Sequence, residues 1–202
     1  MAITTGAELA TAAANWLARA DLTSRIPEFV ALAEAKLNRS LRTRDMETKN
    51  ATFSITGEYV AVPAGFLETK SFYLNTNPKK SLSYLPDDAQ TDAYGAGTGT
   101  PRFFCVVGGN FRFAKVPDAT YSSTLTYYTA LTSVSAGGSA VNWLLTSHPD
   151  VYLYGTLLEA APYLQDPATA GQWAAAYQAV MEDLRASDMR SRWGNGMAVR
   201  AG

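Results

Sequence analysis

Ser147, His148 and Asp150 stand within four residues of one another, and they are the types from which a nucleophile, its base and an orienting acid are made. Pro149 lies among them, which gives the stretch a second meaning. A hydroxyl cap, a first-turn proline and an acid near the positive end of the dipole together start a helix. Capping accounts for all three side chains, so they are not read as a catalytic unit. His148 is the only histidine and Cys105 the only cysteine, which excludes a Cys/His zinc site and an intramolecular disulfide. Cys105 sits in the strand-like run PRFFCVVG and reads as a small buried hydrophobe. Asp87, Asp88 and Asp92 raise glycoside hydrolysis or a calcium loop. Adjacent carboxylates after Pro86 instead suit a helix start, whereas catalytic carboxylates are brought from separate elements across a cleft. GAGTGTP at residues 95–101 lacks the Gly-Lys-Ser/Thr ending of a phosphate loop, and a strand follows it, so it reads as a flexible loop.

With chemistry set aside, the elements themselves carry the information. Apolar residues make up 47% of the 202 positions and charged residues only 17%, which excludes a disordered chain and hints at burial in an assembly. The net charge of −1 gives no global attraction to nucleic acid or anionic membrane. No apolar run is long enough to span a bilayer. The N-terminus lacks the pattern of a signal peptide, so synthesis in the cytoplasm is expected.

Thr5 and Glu8 form a capping box for a first helix to about Ala18, with Leu9, Ala13, Trp16 and Leu17 on one face. A second helix, capped within Asp21–Ser24, runs to about Leu41 on the three- and four-residue steps of Ile26, Phe29, Val30, Ala33 and Leu37. From Thr48 to Val134 the pattern turns to alternation. Candidate strands are Ala51–Ile55, Tyr59–Val62, Thr69–Leu74, Ser81–Leu85, Arg102–Val107, Asn110–Ala114 and Leu125–Leu131, with hairpin turns at Thr56–Glu58 and Gly108–Gly109. Helix returns at Ser147, striped by Val151, Tyr154, Leu157, Leu158 and Ala161, and Pro162 should kink or shorten it. Asp166 and Pro167 start the last helix, whose inner face is Ala170, Trp173, Tyr177, Val180, Met181 and Leu184. After Asp188 the chain becomes basic and irregular, and Gly194 and Gly196 would end any helix there. The expected class is α+β: a four-helix bundle from residues 1–43 and 144–190, an inserted antiparallel β domain at 44–143, and a tail at 191–202.

Spaced residues over nearly the whole chain resemble the tailed-phage head-to-tail adaptor proteins, the tail tubular A and podophage adaptor group. They include Trp16-Leu17-Ala18-Arg19, Ile26-Pro27-Glu28-Phe29, Leu37-Asn38-Arg39, Tyr59-Val60-Ala61-Val62-Pro63, Tyr127-Tyr128, Asn142-Trp143-Leu144-Leu145, His148-Pro149-Asp150 and Tyr163-Leu164-Gln165-Asp166. The resemblance implies a structural virion protein without catalysis or cofactor, found in the neck of a tailed phage. It implies a dodecameric ring of identical copies between the portal protein and the tail nozzle or tail fibre. Double-stranded DNA would pass through the lumen without specific binding. A near-neutral chain suits that passage, since each neutralised phosphate adds affinity.

Two charge groups stand out. Arg39, Arg42, Arg44, Asp45 and Glu47 at the end of the second helix are either a solvated helix end, where cations suit the dipole, or an inter-protomer ion-pair network. Arg190, Arg192, Trp193, Met197 and Arg200 form either a frayed tail or, given the resemblance, a segment that docks on the portal with Trp193 as anchor. The eleven tyrosines keep open a different reading, a carbohydrate-binding or fibre-attachment module of a phage tail. A small glycan hydrolase using the Asp87–Asp92 region is the third.

Overall fold

The computed structural model describes residues 3–94, 97–135, 137–165 and 167–193, in an α+β architecture of six helices and two largely antiparallel sheets. The chain divides into two compact units. Met46–Ala130 forms one; Met1–Asp45 and Leu131–Gly202 form the other.

The helical unit begins with α1, Gly6–Leu17, where the Thr5/Glu8 capping box is complete in both directions. Gly6 has no Cβ for a packing reason, because one built there would collide with the Val134 carbonyl oxygen. Helix α2, Ile26–Ser40, buries Ile26, Phe29, Val30, Ala33 and Leu37 as its period requires. Its cap is not drawn from Asp21–Ser24: a 3-10 turn occupies Ala20–Leu22, Asp21 pairs with Arg19, and Arg25 takes the cap position with no side-chain bond. A short helix α4, Trp143–Ser147, precedes α5, Pro149–Leu164. Ser147 therefore ends a helix and caps nothing. Asn142 caps α4 by accepting from the Leu145 N–H at 2.8 Å.

Helix α5 is the centre of this unit. It contacts α1, α2, α4 and α6. Tyr152, Thr156, Leu157 and Ala160 are fully buried along it, so burial extends beyond the expected stripe. Gly155 lets α2 and α6 approach, with Ala33 and Tyr177 in van der Waals reach of the absent side chain. Pro162 lies inside the last turn, and α5 continues to Leu164. Helix α6, Pro167–Trp193, is longer than expected and carries the region after Asp188 as helix to Trp193. The predicted inner face of α6 holds its only buried side chains among the described residues, Met181 and Leu184. Asp166, Gly194, Gly196, Met197 and Arg200 lie outside the described residues.

The β unit is a pair of four-stranded sheets. One has the order β1 (Glu47–Ile55), β8 (Tyr121–Thr129), β3 (Phe66–Leu74), β4 (Lys80–Ser81). The other runs β2 (Tyr59–Ala61), β7 (Asn110–Ala114), β6 (Phe103–Val107), β5 (Ser83–Tyr84). Phe53, Phe72, Phe104, Phe111 and Phe113 fill the space between them, mostly edge to face at centroid separations of 5.3–6.2 Å. The Gly108–Gly109 turn is a hairpin, with both φ positive as its tight geometry needs. The turn at Thr56–Glu58 is not: β1 and β2 belong to different sheets, so the chain crosses the sandwich there. The expected strand Ser81–Leu85 likewise splits at Leu82, half in each sheet. Alternation marks a residue as in or out but does not say to which sheet. Helix α3, Asp87–Tyr94, follows Pro86.

Candidate interaction surfaces

The residues of catalytic type do not converge. Asp150 Oδ1 accepts from the Val151 N–H at 3.0 Å, and His148 is the backbone junction between α4 and α5. Asp87 is committed to Arg112. That guanidinium, 13% exposed at its side chain, also donates to Glu58 at 3.0 Å and to the Thr91 hydroxyl at 2.9 Å. It ties α3 to β7 and to the start of β2, and these bonds hold its pKa above the ordinary arginine value. Cys105 is buried, as its surroundings in the sequence imply, and burial followed by the Asp87 charge pushes its thiol pKa up. A buried, protonated thiol is a poor nucleophile. Among the described residues no three His, Cys, Asp or Glu side chains gather as a metal site.

Surfaces for contact are better defined. In the helical unit, a groove of about 600 Å³ runs between α2 and α6, lined by Lys36, Arg39 and Ser40 on one wall and Tyr177, Met181, Glu182 and Arg185 on the other. Lys36 also reaches Glu159 on α5.

The two charge groups singled out in the sequence are redistributed. Asp188 on α6 accepts the Arg44 N–H at 2.9 Å and the Arg192 Nε–H at 2.7 Å. Arg192 donates onward to the Arg42 carbonyl at 3.3 Å. Arg42 itself covers the end of α2, donating to the Asn38 and Leu41 carbonyls. Arg42, Arg44 and Arg192 thus belong to one polar clamp around Asp188, and Arg44 leans toward Asp45 at 3.9 Å. Arg39 stands apart, in the groove wall. Glu47 belongs to the β unit, where it pairs with Lys70 at 2.6 Å. Arg190 lies on the exposed last turn of α6.

Sequence reasoning missed the tightest polar centre of the helical unit. Glu34, 6% exposed, accepts the Val134 N–H and the Ser133 hydroxyl, each at 2.6 Å. The fully buried Tyr152 hydroxyl stands 3.4 Å from the same carboxylate and receives the Asn142 amide at 2.7 Å. Asn142 donates as well to the Thr132 carbonyl at 2.7 Å. One network therefore fixes α2, the segment returning from the β unit, α4 and α5.

Among the described residues, the well-defined polar features named above either lock the fold or line a surface. A family model described as SU10 adaptor protein matches residues 4–200. The chain belongs to the SU10 adaptor protein family. No curated protein matches it. Membership makes it a phage head-to-tail adaptor, a structural virion component that works by contacting other phage structural proteins. No helix among the described residues of this adaptor is long and apolar enough to cross a membrane.

Proposed function

We propose that this adaptor forms a ring, a dodecamer by analogy with its relatives, between the portal and the tail nozzle or fibres, with DNA leaving through its lumen. The family match over residues 4–200 carries the reading. In this picture the long helices close as a four-helix bundle that forms the ring body, and the strand unit is a separate domain inserted in it. The near-neutral balance of 17 bases and 18 acids suits a channel that lets DNA slide past. The end of α6 and the residues after it, with Arg190, Arg192, Trp193, Met197 and Arg200, dock on the portal. Of the cluster Arg39, Arg42, Arg44, Asp45 and Glu47, Arg39 on the groove wall serves contacts between protomers, while Arg42 and Arg44 act at the helix end and in the clamp around Asp188.

Truncation after Trp193 combined with Trp193→Ala, which removes the anchor as well, tests the docking. It spares Asp188 and Arg192, so the clamp at the end of α6 is kept. The expected result is an unchanged thermal transition with loss of attachment to DNA-filled heads. Normal attachment would refute portal docking by the tail.

A further inference from the structure

We propose that the β unit carries a phosphate-binding pocket formed by Lys80, Arg102 and Lys115, and that its ligand is the backbone of duplex DNA. The source of the DNA rests on the ring reading; the pocket itself does not.

The three cations stand apart in the sequence, and the sandwich gathers them. Lys80 is fixed in β4 by its register with Leu74 of β3. Arg102, just before β6, donates its N–H to the Ala114 carbonyl at 2.9 Å, and its own carbonyl accepts the Ser83 N–H at 3.0 Å. Lys115 follows β7. Beside it the Val116 N–H donates to the Gly97 carbonyl at 3.0 Å, and the Gly99 N–H donates to the Val116 carbonyl at 2.9 Å. The Lys115 stem runs over Gly99, with its Cδ 3.5 Å from where a Cβ on that glycine would stand. The three side chains line a pocket of about 410 Å³, whose wall also includes Ser81, Tyr94 and Thr100.

Charge indicates the ligand. Arg19, Arg25, Lys36, Lys70, Arg112 and Arg192 each have a carboxylate oxygen at 2.5–3.0 Å. Among the described residues Lys80, Arg102 and Lys115 have none, although all three are exposed around one cavity and repel one another. No acid lines that cavity. Asp118 accepts the Tyr121 hydroxyl proton, and the Tyr121 oxygen accepts the Thr100 hydroxyl, so this chain of bonds engages the carboxylate. A cleft lined by one sign of charge concentrates the opposite ion. Arg102 supplies the planar fork that matches a phosphate, and the two lysines supply point charges.

A protein partner fits this pocket less well. Protein interfaces centre on a buried aromatic or apolar anchor. The only aromatic ring here is Tyr94, and it already packs against Phe103 at 5.2 Å. A polyanion needs no anchor, because released counterions supply its affinity. Backbone phosphates repeat along the duplex and carry no sequence information, so DNA is held without being fixed in position. The net charge of −1 keeps the overall attraction low, and the pocket sets where contact falls.

The test titrates full-length protein into a fluorescein-labelled duplex of about 20 base pairs, read by anisotropy, from about 50 mM salt upward. One variant combines Lys80→Gln, Arg102→Gln and Lys115→Gln. A control of equal charge loss combines Arg19→Gln, Arg25→Gln and Lys49→Gln. The first is expected to bind at least about tenfold more weakly, and its slope of log K against log salt should fall by about 2.7, or 0.9 for each lost phosphate contact. The control should stay close to wild type. If the triple variant does not fold, each single variant is expected to lower the slope by about 0.9. Equal losses in variant and control, or a wild type that binds no duplex, overturn the pocket. Displacement of the duplex by inorganic phosphate at constant ionic strength overturns DNA as the ligand in favour of free phosphate. Stronger displacement by polyglutamate than by unlabelled duplex overturns it in favour of an acidic protein segment. The free chain is used throughout, so a negative result leaves the ring standing, and a failure to oligomerise on portal-bearing heads overturns the ring without altering this measurement.

Discussion

Replacing Glu34 should separate the helical unit's polar lock from its apolar packing. The carboxylate is almost fully buried and holds two short bonds, from the Val134 N–H and the Ser133 hydroxyl. Glu34→Ala leaves the Val134 donor buried without an acceptor, a cost of about 1–3 kcal/mol, and adds the loss of side-chain packing. Ser133 suffers less, because its hydroxyl also lies 2.8 Å from that of Ser135. The 3.4 Å contact from Tyr152 is too long to count heavily. Losing a buried charge returns part of the desolvation cost. A net loss of about 3 kcal/mol is expected, which for a chain of this size lowers Tm by roughly 6–12 °C. Glu34→Gln keeps an acceptor for Val134 and a donor for Ser133, so its expected loss is about 1 kcal/mol or less. Urea denaturation read by circular dichroism gives both values, provided the slope stays constant between variants. If Glu34→Ala shifts stability by under about 0.5 kcal/mol, or the Gln variant loses as much as the Ala variant, the lock is not what holds the crossing segment, and the reasoning fails.

Gly6→Ala pushes a methyl group against the Val134 carbonyl, so a loss of about 1–3 kcal/mol is expected in the same denaturation experiment, in contrast to Gly57→Ala at an open position. Burial holds the Tyr152 hydroxyl neutral, with its pKa above the ordinary value of about 10. That stabilisation is complete below about pH 10 and drains away as pH rises toward the folded-state value, since the unfolded chain releases the proton first. Tyr177 is shifted the same way by burial, so Tyr152→Phe should flatten, but not abolish, the fall of the urea midpoint above pH 10.

Local chemistry was legible where it closes within a few residues. The capping box at Thr5 and Glu8, the Gly108–Gly109 hairpin and the buried steps of α2 are all short-range patterns. Helix α4 was missed although Asn142 before Trp143-Leu144-Leu145 is a readable cap, because the stronger Ser-x-Pro-Asp pattern drew the helix start to Ser147. Glu34 looks in the sequence like any solvated helix acid. Its partners Ser133 and Val134 stand about a hundred residues away, and no periodicity encodes them. The same distance hid the joining of Arg44 to Asp188. The crossings at Gly57 and Leu82 were hidden differently, since a strand in either sheet alternates in the same way.

That clamp matters for how the adaptor is able to work. At 1.5 Å per residue, the 27 residues of α6 extend about 40 Å, yet Met181 and Leu184 are its only buried side chains among those described. Two such residues supply roughly 3–6 kcal/mol of burial, too little to fix the far end of a long helix. Polar bonds complete the task there. Asp188 grips the Arg44 backbone and Arg192 returns to the Arg42 carbonyl, with the side chain of Asp188 only 11% exposed and so weakly screened. The last turn of α6 is thereby registered against the end of α2 and not left to fray. Any partner that seats Trp193 pulls on a helix whose end is already positioned. Less conformational entropy is then lost on docking, and a weak apolar anchor suffices where a floating tail would need a strong one.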